Sequence, residues 1–244
     1  RIVFVNPYFD DLALIGTTDV PYEDRPEDVA ITPQEAQYLV DILNRYFRLT
    51  LTVDDVVADY SGVRALFDDD SDKGASAVTR DYAFELDGDD GRAPILSAFG
   101  GKITTYRKLA EAALHKLGPT FPAMGGDWTS TAPLPGGDIP DADINAWRDA
   151  FHTRHSFLPA ALADHYARCY GTDADTLLAG AEKLAHLGRH FGGLLYEREA
   201  AWLVSKEWAR AADDILLRRT KHGLFLSDVE RSQFADWFGQ SVAA

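Results

Sequence analysis

Apolar residues recur at helical spacing in two segments of the N-terminal half. Thr32 and Glu35 enclose a capping-box sequence with proline at the first helical position, and an apolar stripe follows it. This spacing predicts a helix over residues 33–47. A second apolar stripe begins at Ile103, and the Gly-Pro pair at residues 118–119 ends it, which predicts a second helix.

Alternating apolar and polar positions predict strands around these helices. Residues 1–20 have strand patterns on both sides of a short turn, as expected for a hairpin. Residues 80–86 and 94–99 flank an acidic, glycine-rich turn and predict a second hairpin. Residues 53–64 have the composition of a further strand.

The composition changes after residue 118. Prolines and glycines crowd residues 121–140, which predicts a linker between a first domain over residues 1–120 and a second over residues 141–244. The fold class is therefore α+β: a mixed or antiparallel sheet with flanking helices, followed by an all-α C-terminal domain. The helical candidates lie near residues 141–154, 158–170, 173–187, 195–210 and 227–239.

Composition and charge exclude several classes of function. The 244 residues are 46% hydrophobic and can bury a core, yet no apolar run approaches the roughly 20 residues of a membrane span. A net charge of −15 argues against a nucleic-acid partner. Cys169 is the only cysteine, which fits a reducing compartment and is interpreted as a small buried filler rather than a catalytic thiol. The seven histidines show no metal-binding spacing, so no metal is predicted.

The Gly100-Gly101 turn before the second helix is the strongest candidate for ligand chemistry. Two residues without a Cβ let the backbone approach a ligand closely. The helix start then presents unpaired N–H groups and a partial positive charge, which suit a phosphate, a carboxylate or the electron-rich edge of a reduced flavin. The sequence holds no G-x-G-x-x-G turn for a dinucleotide pyrophosphate.

The residues that follow this turn resemble a known family. Residues 100–111 read Gly-Gly-Lys-Ile-Thr-Thr-Tyr-Arg-Lys-Leu-Ala-Glu, which is similar to the flavin-facing helix of the FAD-dependent glycerol-3-phosphate dehydrogenases. Four further segments resemble that family in the same order: residues 14–20, 60–64, 79–82 and 218–221. The resemblance covers nearly the whole chain.

The resemblance implies an activity and assigns residues to it. It implies that the parent protein oxidises glycerol 3-phosphate to dihydroxyacetone phosphate with FAD as cofactor and quinone as electron acceptor. Arg64 matches the family's substrate arginine and is predicted to be catalytic; Arg80 matches a second arginine of the same pocket. The alternative for each arginine is a surface ion pair with a nearby aspartate. Lys102 is predicted to be catalytic, and the flavin contacts are predicted at Gly100, Gly101, Lys102, Ile103 and Thr104.

The resemblance also implies that this chain is the C-terminal half of a longer enzyme. Residues 1–120 then supply the substrate-binding sheet and the closing part of the FAD domain, while the catalytic base lies in the other half. The chain alone is expected to be inactive and not to retain FAD. Two alternatives stay open: an oxidase that uses oxygen, and a structural or interaction module.

The resemblance finally implies a cytoplasmic protein with peripheral contact on the inner face of the membrane, and it leaves a homodimer open. A basic stretch over residues 206–221 could serve that contact. The alternative to membrane contact is that these basic residues form structural ion pairs with the aspartates at 213 and 214. This alternative is favoured.

Overall fold

The computed structural model describes residues 2–9, 11–64, 81–88 and 92–242. The chain divides into two compact units, residues 1–130 and 131–244. The division lies inside the stretch whose proline and glycine content predicted a linker. Each unit is described by itself below.

Two hairpins form the strands of the first unit. Strand β1 (Phe4–Tyr8) pairs antiparallel with β2 (Leu12–Gly16), and β3 (Tyr82–Asp87) pairs antiparallel with β4 (Ile95–Gly100). Both hairpins follow the predicted alternation. In the described part of the chain they remain two separate two-stranded sheets, so the single larger sheet that was expected is not formed there.

The two predicted helices of this unit are present. Helix α1 (Pro33–Tyr46) begins with a complete capping box, in which the Glu35 N–H donates to the Thr32 hydroxyl and the Thr32 N–H donates to the Glu35 carboxylate. Helix α2 (Tyr106–Leu117) follows a short 3-10 turn over Ile103–Thr105.

The prediction of a strand over residues 53–64 is wrong. The segment starts with a 3-10 turn, Val53–Asp55, and continues without regular structure to residue 64. Asp55 accepts a hydrogen bond of 2.7 Å from the Thr52 N–H, which bends the backbone at the point where a strand would begin.

The second unit is mainly helical. Its helices are α3 (Ile144–Arg154), α4 (Ala160–Tyr170), α5 (Asp173–Leu177), α6 (Glu197–Glu207) and α7 (Asp228–Val242), with a π-helical segment over Asp214–Arg219. It is not entirely α-helical, because β5 (His190–Gly192) and β6 (Leu195–Tyr196) form a short antiparallel hairpin.

The single helix predicted over residues 173–187 is replaced by a short helix and a separate turn. Helix α5 ends at Leu177, and a separate 3-10 turn covers Leu184–Leu187. Gly180 lies between them with φ of +75°, a left-handed conformation that interrupts a helix.

The buried apolar residues lie almost entirely in the second unit. Among the described residues, twenty-two of them form one core there, with Phe151, Tyr166 and Phe234 fully inaccessible to solvent. The described part of the first unit buries only Val40 and Leu43 among its apolar side chains. The second unit therefore has a core of its own, whereas the described part of the first unit has very little core.

Candidate functional site

The Gly100-Gly101 turn has the backbone that the sequence suggested. Gly100 has φ of +70° and Gly101 has φ of +97°, a region that residues with a Cβ rarely adopt. A Cβ on Gly101 would lie 2.9 Å from Cδ1 of Leu109, which belongs to helix α2. The second glycine is therefore required for the packing of the turn against its own helix.

The residues after this turn are exposed at the start of the helix. Lys102, Ile103 and Thr104 are all exposed, and 88% of Ile103 is accessible. The Thr105 N–H donates to the Lys102 carbonyl at 2.9 Å, which begins the 3-10 turn. An exposed cation therefore lies at the start of the helix, and a helix start with a cation beside it favours an anion or an electron-rich ring edge.

A buried carboxylate lies in the middle of helix α2. Glu111 accepts hydrogen bonds from Lys108 at 2.8 Å and from Arg107 at 2.9 Å, and the Thr129 hydroxyl also donates to it. The hydrogen bonds from Lys108 and Thr129 lower the pKa of Glu111 to about 2. The sequence analysis missed this residue, although the cations three and four positions before it were a usable signal.

Arg64 is paired with an aspartate distant in sequence. Its Nη1 lies 2.8 Å from Oδ2 of Asp19, so the structure brings together two of the segments that carried the resemblance. Both side chains remain about half exposed, at 42% and 57%. Next to Asp19, the Thr18 hydroxyl donates to Glu35 of helix α1 at 2.7 Å, which connects this loop to the helix.

The structure does not assemble every predicted site residue. Arg80 lies outside the described residues. Among the described contacts, none joins Arg64 to the turn at residues 100–104. The roles of Arg64, Arg80 and Lys102 therefore remain predictions.

A cluster of titratable side chains that the sequence analysis missed lies in the second unit. Glu199 is fully buried and accepts hydrogen bonds from His165 Nε2 at 2.6 Å, the Tyr170 hydroxyl at 2.6 Å and His222 Nε2 at 3.1 Å. Burial alone would raise the pKa of Glu199, but the two histidines hold it below its usual range. Burial would also lower the pKa of His165, but its hydrogen bonds to Cys169 and Glu199 raise it to about 10.

Cys169 is exposed, so its interpretation as a buried filler is wrong. It lies one helical turn after His165 on α4, with Sγ 3.6 Å from Nδ1 of that histidine. The side chain is on the outer face of the helix, next to the edge of the buried cluster.

The basic stretch is partly neutralised by local contacts. Asp214 accepts from the N–H groups of Arg210 and Ala211, at 2.8 and 2.9 Å, and pairs with Arg218 at 2.8 Å. Arg219 donates to the Glu207 carbonyl at 2.9 Å. These contacts favour the structural interpretation of the stretch. Across the described residues, no helix combines the length and the apolar character needed to cross a membrane.

Comparison with known proteins identifies the relatives of this chain. Residues 128–235 match a family model described as the C-terminal domain of alpha-glycerophosphate oxidase. The chain is 52% identical over 238 residues to D-erythritol 1-phosphate dehydrogenase of Brucella abortus (strain 2308), covering 98% of this chain and 47% of that protein. It is 46% identical over 237 residues to aerobic glycerol-3-phosphate dehydrogenase of Escherichia coli (strain K12), covering 97% of this chain and 47% of that protein.

The similarity extends to oxidases at a lower level. Alpha-glycerophosphate oxidase of Streptococcus pneumoniae is 26% identical over 315 residues, covering 100% of this chain and 50% of the oxidase. The chain spans about half the length of each of these relatives.

Proposed function

Because the chain belongs to the glycerol-3-phosphate dehydrogenase family, we propose that it supplies the C-terminal half of an FAD-dependent enzyme that oxidises a polyol phosphate. The observation that carries this proposal is the similarity of nearly the whole chain to two dehydrogenases named for such substrates. The exposed Lys102 beside the start of helix α2 supports it, because a cation at a helix N-terminus suits an electron-rich flavin edge.

The proposed substrate is glycerol 3-phosphate, with dihydroxyacetone phosphate as the product. D-erythritol 1-phosphate is the second candidate, because identity to the dehydrogenase named for it is 52%, against 46% for the glycerol-3-phosphate enzyme. Both substrates present a terminal phosphate and a secondary hydroxyl. Arg64 and Arg80 are proposed to bind the phosphate, because a guanidinium can donate to two phosphate oxygens at once.

FAD would supply the acceptor for the hydride that leaves the alcohol carbon. The residues around the Gly100-Gly101 turn fit one edge of this group: the helix start offers backbone N–H donors, and Lys102 adds a positive charge. We propose contacts from both glycines, Lys102, Ile103 and Thr104, with Lys102 and Arg64 as the catalytic residues. The proton acceptor for the hydroxyl is proposed to lie in the other half of the enzyme.

Quinone is the proposed electron acceptor, with oxygen as the alternative. Greater identity to the dehydrogenases, 46–52%, than to an oxidase, 26%, supports quinone. A cytoplasmic enzyme in peripheral contact with the inner face of the membrane would meet this acceptor there. A homodimer is compatible with this arrangement.

We further propose that the chain alone is inactive and does not retain FAD. Two observations support this: the sequence lacks a dinucleotide-binding turn, and the described first unit buries only two apolar side chains. If the alternative of a structural or interaction module holds, joining this chain to a dinucleotide-binding half will not produce turnover.

The first experiment compares the chain alone with the same chain joined to the dinucleotide-binding half of a relative. We expect flavin absorbance and polyol-phosphate oxidation only in the joined protein, with faster reduction of a quinone analogue than of oxygen. Assays with both phosphates then identify the preferred substrate. Absence of turnover in a joined protein that binds FAD would contradict the function, and turnover by the chain alone would contradict its inactivity.

Substitution of Arg64 by lysine tests the phosphate contact in the joined protein. Lysine keeps the charge but cannot donate two parallel hydrogen bonds, so we expect the KM for the polyol phosphate to rise about tenfold or more. Arg25→Lys is the matched control, since Arg25 is an exposed arginine 3.7 Å from Glu27 and outside the proposed site. An equal KM in R64K and R25K would exclude Arg64 from phosphate binding.

A further inference from the structure

We propose that His165, Glu199 and His222 form a buried site for a divalent transition-metal ion of the zinc type. One ligand atom from each residue can be chosen so that all three lie within 4.8 Å of one another. Two imidazoles and one carboxylate are a ligand set that zinc accepts, with a fourth position left for a further oxygen. The prediction of no metal rested on spacing along the sequence, which does not reveal residues brought together by folding.

Three separate elements hold this site in place. His165 belongs to α4, Glu199 to α6, and His222 opens the 3-10 turn His222–Leu224. The side chains of the three residues are only 12%, 0% and 8% exposed, respectively. A metal bound here would be shielded from water and would cross-link elements distant in sequence, so its binding should stabilise the fold.

The geometry is close to that of a metal site. The two Nε2 atoms already face the carboxylate, at 2.6 Å for His165 and 3.1 Å for His222. Ligand atoms about 2.0–2.1 Å from a tetrahedral zinc lie roughly 3.3 Å from each other. Small outward shifts of these side chains would therefore make room for the ion, and the Tyr170 hydroxyl, 2.6 Å from the same carboxylate, is near enough to support it.

The second nitrogen of His165 has its own partner. Nδ1 lies 3.6 Å from Sγ of Cys169, while Nε2 faces the cluster. Metal-binding histidines commonly form a hydrogen bond through the nitrogen that does not bind the metal, usually to a carboxylate, a backbone carbonyl or water, and this bond fixes the ring orientation; here the thiol lies in that place. Cys169 therefore supports the arrangement as a positioning residue outside the ligand set.

The charge of the cluster is compatible with a divalent ion. A divalent ion bound by two neutral imidazoles and one carboxylate leaves a net charge of +1 on the site, because the buried Glu199 carboxylate offsets part of the charge of the ion. A bound ion would therefore be paired with a buried carboxylate in the interior. The competing structure for this cluster is a hydrogen-bonded ion network without a metal.

The test uses the full 244-residue chain after treatment with a chelator. Zn²⁺ titration by calorimetry should show one site per chain, and bound zinc should raise the Tm. Co²⁺ should give the intense visible absorption of a tetrahedral site, a signature that a hydrogen-bonded network does not produce. Failure to bind either ion stoichiometrically, or a weak octahedral Co²⁺ spectrum, would overturn the proposal.

His222→Gln removes one ligand and should weaken zinc binding by about a hundredfold or more. Mutation of a group that only supports a ligand already lowers metal affinity by about 10–100-fold, and loss of a ligand should cost at least as much. His115→Gln is the matched control, because His115 is an exposed histidine paired with Asp127 at 2.8 Å and lies outside the cluster. Equal zinc affinity in H222Q and the unchanged chain would place the metal elsewhere and overturn the assignment. Circular dichroism checks that H222Q is folded, and the Co²⁺ spectrum of the unchanged chain does not depend on that variant. These measurements need no turnover, so their outcome is independent of the proposed enzyme activity.

Discussion

At the scale of single residues, the position of Gly101 before helix α2 leaves too little room for a side chain. Gly101 combines a φ of +97° with a neighbour 2.9 Å from the place a Cβ would occupy. The sequence interpretation attributed this glycine to close approach of a ligand. The structure adds an internal reason, since Leu109 of the same helix occupies the space beside it.

In the chain joined to a dinucleotide-binding half, Gly101→Ala should therefore lower the free energy of unfolding by about 1–3 kcal/mol, because it adds both backbone strain and a close contact. Gly118→Ala is the control at the other end of the helix. Gly118 has φ of −49° and no atom within 4 Å of a Cβ, so alanine there should be neutral or stabilising by about 0.4–1 kcal/mol. Urea unfolding and hydrogen exchange of the α2 amides measure the change in unfolding free energy for each variant. Equal changes in the two variants would contradict the steric argument.

At the scale of elements, the sequence predicted those parts whose signals are local. The capping box fixed the start of α1, and alternation located both hairpins of the first unit. Residues 53–64 had strand composition, but a strand also needs a partner, and among the described residues none pairs with this segment. Composition alone cannot supply that information.

Sites made by tertiary contacts were outside the reach of these patterns. Glu199 meets His165, 34 residues away, and His222, 23 residues away. Arg64 meets Asp19 across 45 residues. The resemblance drew attention to Arg64 but not to its partner, and no spacing rule indicated the buried carboxylate.

Helix α2 should show a pH-dependent stability because of Glu111. Its pKa is about 2 in the folded chain and 4.5 in the reference state, so the stabilisation is complete above the unfolded value and is lost as the pH falls through 4.5 towards about 2. In the chain joined to a dinucleotide-binding half, Glu111→Gln should therefore destabilise α2 clearly at neutral pH and progressively less below pH 4.5. Hydrogen exchange of the α2 amides across that range measures the difference. A deficit in E111Q that is independent of pH would show that its charge is not the cause.

At the scale of the whole molecule, the two units differ in how they are stabilised. The described second unit buries twenty-two apolar residues in one core, while the described first unit buries two. Large apolar side chains are instead exposed on the first unit, including Ile103, Tyr60 and Trp128, each more than 60% accessible. Such exposure is typical of a surface that another polypeptide covers.

This difference predicts that residues 131–244 fold when expressed alone, whereas residues 1–130 do not form a stable tertiary structure. Burial of apolar area is the main favourable term in folding, and among the described residues only those of the second unit bury enough of it to offset the loss of chain entropy. The isolated second unit should unfold in one cooperative urea transition and show well-dispersed amide resonances. The isolated first unit should bind a hydrophobic dye and lack near-ultraviolet circular dichroism. A cooperative transition in residues 1–130 would mean that its exposed apolar side chains are a surface of a stable domain, and would contradict the interpretation that another polypeptide covers them.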